Sequence, residues 1–368
     1  PKVWASLGES LYHGFVPGGW PEAEEAKQRA IELDPGDPSF YNHFADLAFA
    51  LHHDSALAAE RIAQHPAEDF RTMFRVALRM VFGSGEAREA AFARLDSLPV
   101  STLWQLTNAL NYPTDGDLQE RAIRRTIERG GILRGRYVLR QVVNSLERGR
   151  VRRALNQIRD APDALDRSGR FGCLLAWSES LGMSVPDSVV RVRVDPARID
   201  GELPVRLLGC RGIYYVEHDR TEDLPNLLDR IRSRGAENDL STAKIRATVN
   251  EVRGYRAWTE GRLDRAAELW SDAQQSHWAG AIWRGDLYRK RGELRKAEEW
   301  YIAAWSHPVA HERLGQLYEE MGEPEKAAAA YRRFVESWKN ADEALRDRGE
   351  AAQKRLETLT DSEAQADE

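Results

Sequence analysis

Few of the acids and histidines in this chain are arranged for chemistry. The nine histidines include one tight cluster, His52-His53-Asp54, and one spaced pair, His307 and His311. A four-residue spacing can place two imidazoles on one helix face, but Pro308 breaks the helical geometry of that pair. The cluster reads as an exposed turn. The adjacent carboxylates Glu298-Glu299 and Glu319-Glu320 fall on helices read as wet, where nothing tunes a carboxyl group for acid–base work. The chain contains no G-x-x-x-x-G-K-[ST], no G-x-G-x-x-G, no H-E-x-x-H and no G-x-S-x-G. The expectation is a chain with no catalytic residue, no cofactor and no metal.

Charge offers a second kind of chemistry. The formal net charge is only −6, yet between Glu120 and Arg170 fourteen arginines face six acids. Such a run can mark a nucleic-acid footprint. No aromatic side chains interleave to stack bases, and arginine replaces lysine nearly everywhere in the chain, so the run is read as a solvated helix face and no nucleic-acid partner is expected. The two cysteines, Cys173 and Cys210, have no paired spacing and no metal-ligand companions, which fits a reducing cytoplasm. No stretch has the roughly 18–20 apolar residues of a membrane span.

The elements that must position these residues announce themselves by repetition. Gly254, Gly261, Ala266 and Trp270 recur as Gly285, Gly292, Ala297 and Tyr301, and again as Gly315, Gly322, Ala327 and Tyr331. The units are 31 and 30 residues apart with identical internal offsets, the range of helical-hairpin solenoids. Gly292 sits where a helix must end in a left-handed conformation. Gly285 lies inside a helix, where it costs roughly 1 kcal/mol relative to Ala, so its recurrence implies close helix approach. Ala297 serves the same contact, and Tyr301 fills space towards the neighbouring repeat. Burying such a ring removes about 150–250 Å² from water. The tryptophans crowding the last units, Trp258, Trp270, Trp278, Trp283, Trp300, Trp305 and Trp338, are read mainly as inter-helix packing.

This pattern resembles the tetratricopeptide repeat, most closely at Leu314, Gly315, Tyr318, Gly322, Ala327 and Tyr331. Trp4, Leu7, Gly8, Ala23, Ala30 and Pro35 are similar to a first unit with an enlarged turn, HGFVPGGW, and Tyr41, Phe44 and Ala45 begin another. The resemblance implies an all-α fold, a right-handed α-α superhelix (TPR-like solenoid), irregular in the middle. It divides the chain into N-terminal repeats (1–65), degenerate hairpins (66–245), C-terminal repeats (246–340), a capping helix (341–360) and a disordered tail (361–368). In the middle, Gly85 with Ala90, Gly149 with Ala154, and Gly212 with Tyr215 and Leu224 are candidate hairpins. The alternation Val190-Arg191-Val192-Arg193-Val194 has the period of a strand, so an extended connector is expected near 185–205.

In the tetratricopeptide family the first helices line a concave groove. The matching positions here are Thr248, Glu251, Tyr255 and Trp258, then Ile282, Asp286 and Arg289, then Glu312, Gln316 and Glu319. An aromatic anchor among acids suits a peptide with apolar and basic side chains. The lysine and asparagine clamp of the chaperone-tail binders is missing. The resemblance thus implies a non-catalytic scaffold for a protein or peptide partner, cytoplasmic and part of a bacterial signalling protein. The segment from Tyr331 to Leu359 is similar to repeat regions attached to bacterial eukaryote-like serine/threonine kinases. Similar arrays follow cyclase and transcriptional-activator domains. The alternative implied is a regulatory region whose catalytic domain lies upstream of residue 1, since the kinase motifs are absent here. Pro1 falls at the first position of a repeat without a cap, which carries the same expectation of a longer protein.

Overall fold

The structure is a computed structural model describing the chain except residues 42, 53, 100–101, 111–115, 130–133, 162–168, 195–204, 272–276 and 367–368. The described residues form α-helices and short helical turns, with no strand. In chain order the helices are α1 (Lys2–His13), α2 (Gly19–Leu33), α3 (Phe44–Leu47), α4 (Ser55–Gln64), α5 (Glu68–Phe82), α6 (Gly85–Ala93), α7 (Leu103–Ala109), α8 (Gly116–Glu128) and α9 (Arg134–Glu147). Then follow α10 (Val151–Arg159), α11 (Arg170–Ser180), α12 (Asp187–Val194), α13 (Val205–Glu217), α14 (Leu224–Glu237), α15 (Thr242–Thr259) and α16 (Leu263–Ser271). The last are α17 (Trp278–Lys290), α18 (Leu294–Ala303), α19 (Pro308–Glu320), α20 (Pro324–Trp338) and α21 (Arg346–Ala366). The chain divides into two compact units, Pro1–Asn144 and Ser145–Glu368.

In the first unit α1 and α2 pack closely because Gly8 has no side chain. A Cβ there would lie 2.8 Å from Lys27 Cγ and 3.2 Å from the Ala23 carbonyl. The next helix is broken into a 3₁₀ turn (Pro38–Tyr41), the short α3 and a π turn (Ala48–His52). His43 enters α3 in the left-handed region, at φ 62°. Asp54, from the expected turn, caps α4 by accepting from the Ala56 and Leu57 amides at 2.8 and 3.0 Å, while His53 lies outside the described residues. Around Phe49, Met73, Met80 and Leu106 a buried apolar core joins α4–α8. The arginines of this region bridge helices. Arg121 is bidentate to Glu89 at 2.7 Å, Arg125 reaches Asp96, and Arg129 donates to the Leu95 and Leu98 carbonyls. Acids before residue 120 thus balance part of the positive run.

In the second unit successive helix pairs close on left-handed residues. Gly261, Gly292 and Gly322 (φ 76°, 74° and 70°) join α15–α16, α17–α18 and α19–α20. In each, the amide of the next residue returns to a carbonyl five residues back, as from Glu293 to Tyr288 at 2.9 Å. The in-helix glycines make the expected close approach, but to a different partner. A Cβ at Gly315 would sit 2.7 Å from the Tyr331 ring, and one at Gly285 would strike Tyr301. The aromatic ring therefore folds back onto the glycine of its own hairpin and not towards the neighbouring repeat.

The same turn runs back through the middle of the chain. Gly149, Gly182 and Asp219 stand 33 and 37 residues apart, and Asp219 is 42 before Gly261. Each has positive φ and the same returning amide, as from Arg220 to Tyr215 at 2.8 Å. The strand-like alternation is corrected: 187–194 is helix α12. Val190 and Val194, four apart, are buried on one face, and Gly172 of α11 lets the α12 backbone come within contact at Arg193. The remainder of the expected connector, 195–204, lies outside the described residues. The closing helix is longer than expected, running to Ala366 through most of the segment read as disordered, with Ala352 buried on it and Leu345 buried in the 3₁₀ turn just before it.

Helices α11 and α13 pack side by side, and a disulfide joins Cys173 to Cys210. This corrects the reading of two unrelated thiols, since residues 37 apart in sequence meet only once the helices stack. Disulfides persist in oxidising environments, so the cysteines no longer support a reducing compartment. No described helix is long and apolar enough to cross a membrane.

Candidate functional site

The first helices α15, α17 and α19 carry the ten positions assigned to a groove, and the structure sets them at different depths. Tyr255 and Ile282 are wholly buried and Glu312 nearly so. Thr248, Glu251, Trp258, Asp286, Arg289, Gln316 and Glu319 are half-buried. Tyr255 donates from its hydroxyl to Glu217 on α13, and its ring lies 4.4 Å from Trp283. Burial and the Glu217 carboxylate push that hydroxyl far above its ordinary pKa.

The end of α11 covers part of this face. Trp177 stacks on His277 at 3.9 Å and meets Trp278 edge-on at 5.8 Å. Ser180 is hydrogen-bonded with Tyr255, and the Leu181 carbonyl accepts from Arg348 of α21 at 2.9 Å. Every residue from Phe171 to Ser178 is buried, because α11 is enclosed by α12, α13 and the ends of later helices.

The charged positions are already partnered. Asp286 accepts from the Tyr301 hydroxyl at 2.7 Å and pairs with Arg313 at 3.1 Å. Glu312 holds Arg348 at 2.8 Å, Glu319 holds Arg355 at 2.9 Å, and Arg289 reaches Gln316 at 2.7 Å and Glu320 at 3.0 Å. The acids expected to attract a basic peptide are thus largely neutralised by arginines of the same unit.

Trp258 differs. Its half-buried ring has the Lys290 ammonium 5.0 Å from the centroid, and its indole N–H is buried with no acceptor among the described residues. A buried donor left unpaired is costly. Of the remaining tryptophans in this region, Trp270, Trp283 and Trp338 are buried, whereas Trp278, Trp300 and Trp305 are half-buried. Arginines cover several: Arg284 lies between the Trp270 and Trp300 rings at 5.0 and 5.2 Å, and Arg333 lies 4.2 Å from Trp305.

Sequence reasoning missed a buried polar cluster behind this face. His277 pairs with Glu251 and accepts from the Gly280 amide at 3.1 Å, and Arg284 donates to the Gly280 carbonyl at 2.9 Å. Burial lowers the Arg284 pKa to about 10, against the pull of Glu251. Its one available signal was an arginine at the end of the apolar run WAGAIW. The expected histidine pair is core. His307 caps α19 by accepting from the Val309 amide at 3.3 Å and stacks on Trp278 at 4.2 Å, and His311 stands edge-on to Trp305. Burial, helped by Arg348 and Arg333 respectively, pushes both imidazoles down to about 3.

The tetratricopeptide repeat family matches residues 309–337, within the α19–α20 hairpin. No curated protein matches the chain at a significant level. Among solved structures the chain is similar to the human IFIT1 dimer with PPP-AAAA, at 12% identity and a TM-score of 0.41, covering 98% of this chain and 92% of that one. It is also similar to the APC/C hetero-tetramer Cut9-Hcn1 (11% identity, TM-score 0.34, covering 99% and 84%) and to the P58(IPK) TPR domain (13%, 0.25, 97% and 98%). The α19–α20 hairpin is thus matched as a tetratricopeptide repeat, and α15–α16 and α17–α18 repeat its packing residues at the same offsets, in a chain whose described residues are all helical or in turns.

Proposed function

We propose that this chain is a non-catalytic scaffold that holds a protein or peptide partner on the first-helix face of its C-terminal repeats, centred on Trp258. One observation carries the reading: a half-buried indole ring on the first-helix face, with a lysine beside it and, among the described residues, no aromatic ring against it but Tyr255. An apolar side chain of a partner would cover the accessible part of that ring. Arg289, Gln316 and Glu319 line the accessible stretch further along. Because the face's acids are largely paired with arginines, the favoured partner segment is apolar and less basic than the bare sequence suggests. The alternative role, a regulatory region of a kinase, cyclase or transcriptional activator, gains no further supporting observation.

The test is a pull-down from the source cell with the wild-type chain and with Trp258→Ala combined with Arg289→Ala. The double variant should melt within a few degrees of wild type and lose at least ten-fold in recovery of the wild-type partner. Equal recovery by a folded double variant would move the binding surface elsewhere.

A further inference from the structure

In the first unit, two residues of α1 meet the left-handed residue that opens α3. Glu9 and His13 are four apart on one helix face, and His43 arrives from thirty residues further on. Each offers one donor atom, and the three atoms lie within 4.8 Å of one another. The Glu9 Oε2 atom is 3.5 Å from His13 Nε2 and 3.8 Å from His43 Nε2. Those separations are long for direct hydrogen bonds. They approach the roughly 3.3 Å edge of a tetrahedron whose centre is about 2.0–2.1 Å from each ligand.

The surroundings are those of a positioned ligand set. The opposite edge of the His43 ring is held: Nδ1 lies 2.9 Å from Asp46 Oδ2, and Asp46 is buried, its Oδ1 taking no hydrogen bond among the described residues. A carboxylate on the far nitrogen fixes the tautomer that presents Nε2 as a lone pair. Tyr12 stacks on the ring at 4.1 Å and sets its plane. The two oxygens of Glu9 are divided, Oε1 accepting from the buried Lys27 ammonium at 2.8 Å while Oε2 faces both imidazoles. A structural ion pair with Lys27 accounts for Oε1 alone. Oε2 is left facing both imidazoles, whose rings meet edge-on at 5.0 Å.

We propose that Glu9, His13 and His43 form a binding site for a divalent metal ion of the zinc class, with a fourth position open to water. Imidazole and carboxylate donors suit zinc, and three protein ligands plus an open position is a known arrangement for it. His13 is 62% exposed, so an ion can enter from solvent, and His43 is 13% exposed, so the site has a fixed floor. Asp46 and Lys27 act as positioning residues, orienting His43 and Glu9.

The experiment is a titration of the full chain with CoCl2, followed by displacement with ZnCl2. Wild type should develop the visible absorption of a four-coordinate cobalt site, saturating at one equivalent, and zinc should bleach it. His13→Ala removes an exposed ligand without touching the core and should weaken cobalt affinity at least ten-fold. Asp46→Asn should weaken it about 10–100-fold through the His43 ring. His52→Ala, whose ring pairs with Glu24 outside the site, should titrate as wild type. No saturable band in wild type, or unchanged affinity in His13→Ala with wild-type dichroism and melting, would overturn the proposal.

Discussion

The C-terminal repeats, 246–338, and the hairpins before them in the second unit use one turn but two kinds of packing. Both end their first helices in a left-handed residue with a returning amide. In the C-terminal repeats that residue is glycine, and a second glycine accepts an aromatic ring from the paired helix. In the α13–α14 hairpin the turn residue is Asp219, and Gly212 receives Val252 of α15, not a ring of its own hairpin. A glycine–aromatic contact inside each hairpin makes the units alike, so they recur at 30–31 residues. Where the contact is made between hairpins, spacing is free to drift, and a disulfide between α11 and α13 supplies a covalent tie.

The contrast can be broken most directly at Tyr301. Tyr301→Ala empties the space against Gly285 and removes one of the two partners of Asp286, so it should cost about 3–5 kcal/mol by denaturant melting. A loss under about 1 kcal/mol would mean that the hairpin does not depend on the ring. Reducing the Cys173–Cys210 bond should cost the middle hairpins about 2–4 kcal/mol, because it releases a 37-residue loop. Segment-resolved hydrogen exchange should show the loss between 145 and 245; a loss spread evenly to residue 338 would remove the distinction between the two regions.

Acid should act on the C-terminal repeats through two buried histidines. His307 and His311 titrate near 3 when folded and near the model-peptide value of 6.5 when unfolded. Between those values only the unfolded chain takes up the protons, so this stability is complete above pH 6.5 and falls as pH drops. The loss approaches about 1.4 kcal/mol per histidine per pH unit. Exchange protection in α19 and α20 should fall between pH 6.5 and 5.5, and His307→Gln should flatten that dependence. A variant with the wild-type slope would assign the effect to other groups.

The repeat register was legible because its glycines have strong local reasons. Gly292 and Gly322 occupy conformations that side chains resist, and Gly285 and Gly315 face rings at fixed offsets. In the middle, Asp219 performs the turn's task with a residue type that is common everywhere, so the hairpin marked by Gly212, Tyr215 and Leu224 lacked the glycine at its turn. The Val190–Val194 alternation misled because a period of two also contains an i, i+4 pair, and packing against Gly172 chose the helix. Two of the three proposed metal ligands, Glu9 and His13, share one helix turn, a spacing the sequence reading passed over. His43 was not legible at all, because nothing local ties it to α1.

Local chemistry alone therefore determined that this chain is helical, where its C-terminal hairpins turn, and which small and large residues nest within them, since those contacts span no more than about thirty residues. Tertiary structure decided which groove positions stay open, which acids meet arginines, which cysteines bond and which histidines converge. Each of these depends on the angles at which successive hairpins stack, and an angle summed over many turns is not written in any single segment.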